Sequence, residues 1–389
     1  MPGKGISKQK SLIIAIYSHP EYYPPTLNAV ELLSGYYDKI YILHRNVTGF
    51  DWIYPSNVQL VSPKKCYPVL EVERASLVKK IGWFLQFSFK FFRLVAGKKP
   101  DTVLMYDSLP VLGYRLIVPF ITSPRILWYH NHDVSEEKYI KKYNLAWLAW
   151  KSEPWILSRL QLFTLPAIER KVCFPMERLK GQFFFLPNFP SRIVYHRKPG
   201  KDRNSETIKL LYQGSIGKGH GLEEIIPLLK GKILGKTLLL ILKGFISQEY
   251  LEELKGITAK EGIADRLVYI PPSGYQEVIN NAFTCHIGIG IHKKDDMMNR
   301  TLGTASNKIY EYAAAGLPVI LYDNPHFREI LGQYNWVFFT DTSMASLEEV
   351  IRRIVNKYED YSNSARSDFE NKLCFEEYFD KITPYLQQQ

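Results

Sequence analysis

The chain has 389 residues, 46% hydrophobic and 23% charged. That is enough apolar material for two domains with sizeable cores, and too much for a disordered or low-complexity protein. Its formal charge of +11 is uneven: residues 1–200 hold 28 Lys+Arg against 14 Asp+Glu, the remainder 22 against 25, so the first half is expected to meet something anionic.

Cys66, Cys173, Cys285 and Cys374 are scattered, which argues against disulfides and structural zinc and for a reducing compartment. The aromatic content of 14%, with 26 Tyr, suits stacking on rings or meeting an interface. Lys4, Lys8 and Lys10 precede an apolar run too short for a secretory signal. No run reaches the ~18 apolar residues of a spanning helix. A soluble cytoplasmic protein is expected, with attachment to the inner face of a membrane as its variant.

In chain order, Leu12–Tyr17 is expected as a buried strand, followed by the polar, aromatic loop Ser18–Thr26 and a helix near Leu27–Tyr36. Further short β-rich runs fall at Lys39–Leu43, Val58–Val61, Thr102–Tyr106, Arg125–His130, Leu160–Leu165 and Gln182–Leu186. Ser191–Glu206 (SRIVYHRKPGKDRNSE) is basic, polar and irregular, and is expected to link two domains. Alternation restarts with strands at Ile208–Tyr212, Thr237–Leu242, Arg266–Ile270, Cys285–Ile289, Leu317–Leu321 and Trp336–Phe339. Helices are expected near Leu222–Leu229, Ser247–Lys260, Gln276–Asn281, Ser306–Ala315 and Ser346–Tyr358, with a last one over Asp368–Leu386. Strands alternating with helices imply parallel sheets covered on both faces. The expected fold is α/β, two Rossmann-like β/α/β domains facing a cleft. Residues 1–190 are expected as a first domain, 191–206 as a linker and 207–365 as a second domain, with a helix over 366–389 packing back toward the first.

Asn299–Asp323 (NRTLGTASNKIYEYAAAGLPVILYD) carries the most informative chemistry. Ser306 or Asn307 can cap a helix that Gly316 ends, and Lys308 and Glu311 fall in its first turn. A helix N-terminus offers free N–H groups to phosphate, and an acidic side chain beside it can accept hydrogen bonds from a ribose diol. Gly214-Ser215-Ile216-Gly217-Lys218-Gly219-His220-Gly221 follows a strand and opens a helix. Its glycines let backbone approach a phosphate, and Lys218 can supply counter-charge. It is neither a P-loop nor G-x-G-x-x-G; taken alone, it can equally be a glycine-rich turn.

GSIGKGHGLEEI followed by SNKIYEYAAAGLPVI resembles the donor half of GT-B glycosyltransferases related to family 4, over most of residues 208–340 and loosely in the first half. The resemblance implies a nucleotide-diphosphate-sugar donor as substrate, no separate cofactor and no metal, with transfer to a glycan or lipid-linked glycan in bacterial-type surface polysaccharide synthesis. Glu311 would hold the ribose hydroxyls; Gly214, Ser215, Gly217, Lys218, Ser306, Asn307 and Lys308 would meet the diphosphate; Pro271 to Tyr275 would border the base. Two departures stand out: an expected glutamate is Gly303, and an expected arginine is Ser215. They bear most on the retaining, hexosyl-transferring mechanism implied by the family.

In Trp128-Tyr129-His130-Asn131-His132-Asp133, zinc lacks further ligands at suitable spacing, and a His-Asp pair can simply cap the next helix. The resemblance favours His132 against the transferred sugar or reaction centre, with Asp133 orienting it or acting as base. In the loop after the first strand, Glu21, Tyr22 and Thr26 are acceptor-side candidates; a rigid proline turn is the plainer reading. Leu77–Lys99, with Lys79, Lys80, Lys90 and Arg93 among apolar residues, is either a core helix with snorkelling cations or an interfacial helix on anionic lipid. Lys141–Leu162, with Trp147, Trp150 and Trp155, fits either. A GT-B nucleotide-sugar epimerase, and a non-catalytic membrane- or nucleic-acid-binding module, are the competing readings. The first would need no basic docking surface, and the second leaves Lys308 and Glu311 unexplained; nucleic acid is not the expected partner.

Overall fold

The computed structural model describes residues 9–134, 140–196, 206–293 and 301–387. These form two compact units, one running to Pro187 and resuming at Tyr378, the other spanning Asn188–Glu377.

The first unit is built on seven parallel strands: β1 (Ser11–Ile16), β2 (Lys39–His44), β3 (Val58–Val61), β4 (Thr102–Tyr106), β5 (Ile126–His130), β6 (Leu162–Leu165) and β7 (Gln182–Phe185). Their order is β3-β2-β1-β4-β5-β6-β7. Every residue of β1, β4, β5 and β6 is buried, which is why they read as unbroken apolar runs: helices cover both faces of a parallel sheet. Strand order reverses between β1 and β4, and such a switch point opens a crevice at the carboxyl ends of the strands.

The first helix begins earlier than its apolar spacing suggested, covering Pro24–Leu33. Pro24 and Pro25 take the first helical positions, where no N–H is needed and the fixed φ is already helical; a 3-10 turn, Pro20–Tyr22, lies within the expected loop. The helix Leu77–Lys98 is capped by Ser76. One face buries Phe84, Phe87, Phe91, Leu94 and Val95, while the other leaves Leu77, Val78, Ile81, Leu85 and Phe89 between 41% and 80% exposed.

The second unit has strands β8 (Thr207–Ser215), β9 (Lys232–Ile233), β10 (Lys236–Phe245), β11 (Leu267–Ile270), β12 (Ile287–Gly290), β13 (Val319–Tyr322) and β14 (Val337–Thr340). Their order is β11-β10-β8-β12-β13-β14, parallel throughout, with the short β9 antiparallel to β10. The switch point lies between β8 and β12. β8 is longer than expected, because Gly214 and Ser215 pair with Gly244 and Phe245 of β10. A side chain on Gly244 would meet the Gly214 carbonyl at 2.0 Å, so the two glycines allow this close end to the ladder.

Two boundary expectations are corrected. Residues 191–196 are no free linker: Ser191 donates to Glu376 Oε1 at 2.6 Å, the Tyr195 carbonyl accepts from Arg366 at 2.7 Å, and both residues are fully buried. The rest of the expected linker, 197–205, lies outside the described residues. The expected helix Asp368–Leu386 is three pieces, the end of Tyr358–Asn371, then Glu376–Phe379 and Thr383–Gln387. Pro384 suits the first turn of the last piece and not the interior of a longer helix.

Candidate active site

In the second unit, Ser306 caps the helix Asn307–Ala314, its hydroxyl accepting from Ile309 N–H. This helix packs close to the sheet because residue 288 has no side chain: a Cβ there would lie 2.3 Å from the Tyr312 ring. The approach lets Tyr312 OH accept from Gln213 N–H at 2.9 Å and donate to Ile289 O. Gln213, at the end of β8, then donates its side-chain amide to Glu311 Oε2 at 2.5 Å. Glu311 is 5% exposed. Burial raises its carboxyl to about 7, against hydrogen bonds from Tyr275 and Gln213 and the charge of Lys308. Lys308 donates to Tyr212 OH at 2.8 Å and sits over the same ring. Burial lowers its ammonium to about 7, with Glu311 opposing. The structure thus joins Ser306, Lys308, Glu311 and Tyr275; Asn307 Oδ1 lies beside them, buried without a partner among the described residues. Pro271 offers its carbonyl to the buried Lys243 at 2.8 Å, two strands away in the order.

Lys218 is not in this group. Its exposed ammonium pairs with Glu253 at 2.8 Å, which raises its pKa. The place facing Lys308 belongs to His220, whose Nδ1 lies 2.7 Å from Tyr212 OH and accepts from Gly217 N–H at 3.1 Å. His292, just past β12, stands edge-on to His220 with ring centres 4.8 Å apart. Tyr212, Gln213, His220 and His292 were all missed in the sequence; the one available signal was a histidine inside a glycine-rich run. Ser215 is exposed at the end of β8, its carbonyl accepting from Tyr212 OH at 3.2 Å. Gly303 is packed so that a Cβ would stand 2.9 Å from Ile330, and the carboxylate expected of the family has no counterpart there.

In the first unit, His132 follows β5 and lies 3% exposed between two tyrosine rings, Tyr106 at 4.6 Å and Tyr23 at 4.9 Å. Thr26 Oγ1 is 3.4 Å from its Nε2. The carboxylate that orients it is Asp107, not Asp133: His132 N–H donates to Asp107 Oδ1 at 2.7 Å, and Asp107 Oδ2 lies 3.4 Å from Nδ1. Asp107 ends β4 with φ at 65°, a conformation costly to a residue with a Cβ. Asp133 shares only its backbone N–H with Asp107, and its exposed side chain borders a cavity with Ser108, Asn131 and Glu153. Arg170 donates to the His132 carbonyl. His130 is a core histidine, bonded to Thr164 at 2.8 Å and held well below its usual pKa by burial, His132 and Arg170. Glu21 turns into its own unit, accepting from Phe50 N–H and Tyr54 OH, and Tyr22 bonds Thr48 O. Of the three acceptor-side candidates, Thr26 alone reaches His132.

No family model and no curated protein matches the chain. Solved structures do. Sucrose-phosphate synthase from Thermosynechococcus elongatus superposes with a TM-score of 0.64 at 11% identity, covering 98% of this chain and 99% of that one. WaaG, a glycosyltransferase involved in lipopolysaccharide biosynthesis, gives 0.63 at 13% identity over 97% and 100%. HepE of Anabaena, in complex with UDP and glucose, gives 0.62 at 12% over 97% and 99%. The chain therefore has the GT-B fold: two Rossmann-like α/β units of parallel-dominated sheets.

Proposed function

We propose that the protein is a glycosyltransferase moving a sugar from a nucleoside diphosphate sugar to a glycan or lipid-linked glycan. The observation that carries this reading is the pair of Lys308, in the first turn of its helix, and the buried Glu311, one turn further on, tied to Gln213, Tyr212 and Tyr275 beside the switch point of the second sheet. The structural neighbour HepE was solved with UDP and glucose, which supports a donor of that class here.

Glu311 accepts from the ribose hydroxyls, and Tyr275 with the residues from Pro271 borders the base. Lys308, the helix start at Ser306–Asn307 and the amides of the Gly214–Gly217 turn hold the diphosphate. The bond between the anomeric carbon and the β-phosphate oxygen breaks, the oxygen keeping the electron pair. The charge it gains is met by an ammonium and backbone N–H groups already in place. The acceptor hydroxyl oxygen forms the new bond and loses its proton. His132, held by Asp107, is the first unit's group for sugar or acceptor, and retention of configuration is the outcome that the family likeness favours. The apolar stripe and cations of Leu77–Lys98 rest on an anionic membrane at its cytoplasmic face, in surface polysaccharide synthesis.

The test is product analysis with a panel of nucleoside diphosphate sugars. Nucleotide release that depends on added acceptor supports the proposal. Epimerised donor formed without acceptor, or no turnover of any donor, contradicts it.

A further inference from the structure

Two side chains able to carry positive charge meet at one hydroxyl in the second unit, and a third stands behind one of them. Lys308 Nζ donates to Tyr212 OH, which lies 2.7 Å from His220 Nδ1; His292 stands against His220. Gly217 N–H also points at His220 Nδ1, 3.1 Å away. A backbone N–H can only donate, so Nδ1 is an acceptor and the ring is neutral with its proton on Nε2. His220 therefore occupies the turn amide that a phosphate oxygen would take. His292 is 8% exposed, and its Nε2 is buried without a partner among the described residues, so it is free to take up a proton or a hydrogen bond.

We propose that His220 and a diphosphate compete for the Gly217 amide, and that a diphosphate bound there loads a proton onto the Lys308–His220–His292 cluster. This rests on the donor reading above and adds to it the form in which the site takes its ligand. Among the described residues the charged and titratable neighbours are few. Tyr212 and Gln213 come from β8, Glu311 from the helix carrying Lys308, and Tyr275 from the helix Tyr275–Phe283. Lys293, beside His292, is neutralised by Glu224; Lys218 points away to Glu253. Among the described residues only Glu311 opposes the cations at Lys308, and it is committed to Gln213.

Burial, Lys308 and His220 hold His292 well below the usual histidine range, and burial holds Lys308 at about 7. The cluster by itself thus carries less positive charge than a diphosphate requires. The anion raises these pKa values, so binding consumes protons and affinity falls as pH rises through the region of 7.

The experiment is titration calorimetry of UDP into the full-length protein at pH 7.5, where the terminal phosphate (second pKa about 6) is already ionised. Two buffers of different ionisation enthalpy report proton uptake. The expected result is uptake of about 0.5–1 proton per UDP, with affinity dropping about 3- to 10-fold per pH unit between 7 and 8. His220→Asn and His292→Gln, checked for unchanged melting without ligand, each reduce the uptake, a readout that a purely structural histidine would not move. UDP binding with no uptake, or with uptake unchanged in both variants, overturns this inference and leaves the donor reading standing. No UDP binding at all overturns both.

Discussion

Burial shifts both Glu311 and Lys308 toward their neutral forms. Glu311 is raised to about 7 by burial, so in the folded state it keeps its proton well above the ordinary carboxyl range. Stability associated with it is fully present below pH ~4.5 and is lost as pH rises to about 7. Glu311→Gln keeps the hydrogen-bonding shape without the charge, and is predicted to stabilise the empty protein by about 1–3 kcal/mol at pH 8 and to change little at pH 5. Thermal melts across that range check it; a lower melting temperature at pH 8 contradicts it. In the first unit, Asp107→Asn removes the charge that orients His132 and is predicted to slow transfer ~10- to 1,000-fold with nucleotide affinity unchanged, read from kcat beside a binding titration. Glu311 and Lys308 were legible in the sequence because the helix cap and the following strand bracketed their helix, but only Lys308 is in its first turn: the helix starts at Asn307, which puts Glu311 in the second. Asp107 was not, since it stands 25 residues before His132 and only the pairing of β4 with β5 joins them. Lys218 misled for a related reason: adjacency to glycines says nothing about which way a side chain leaves the loop.

The helix Asn307–Ala314 works as a unit because Gly288 lets it approach the sheet. Gly288→Ala drives a methyl into the Tyr312 ring and is predicted to cost about 1–3 kcal/mol while weakening donor binding, measured by chemical denaturation and calorimetry. The helix Leu77–Lys98 has an apolar face that its own unit leaves uncovered, larger than scattered surface hydrophobics would give. Each cation near an anionic surface adds about 1 kcal/mol. Converting Lys79, Lys80, Lys90 and Arg93 to Gln is therefore predicted to abolish pelleting with phosphatidylglycerol vesicles and to leave activity on a soluble acceptor intact; equal pelleting removes the membrane reading. The sequence carried both faces of this helix at once, so core packing and surface attachment could be separated only when burial was known. Pro24 and Pro25 gave the opposite lesson, marking a helix start that the apolar spacing placed three residues late.

At the scale of the molecule, the two parallel sheets were legible because buried parallel strands are unbroken apolar runs between helical spacings. The division of the chain was legible in outline, but residues 191–196 read as linker because their partners lie far along the sequence: Glu376 for the Ser191 hydroxyl and Arg366 for the Tyr195 carbonyl. Chain-end pieces such as Thr383–Gln387 belong with the first unit through contacts like Phe184 with Tyr385, which no local pattern encodes. The whole account depends on one grip, that of the second unit on a nucleoside diphosphate. Calorimetric titration of UDP, GDP and ADP into the wild type and Glu311→Gln tests it most directly. At least one nucleotide should bind the wild type and lose about 10- to 100-fold in affinity in the variant, the worth of a charged hydrogen bond. Equal affinity in both proteins, or no binding to the wild type by any of the three, would contradict it.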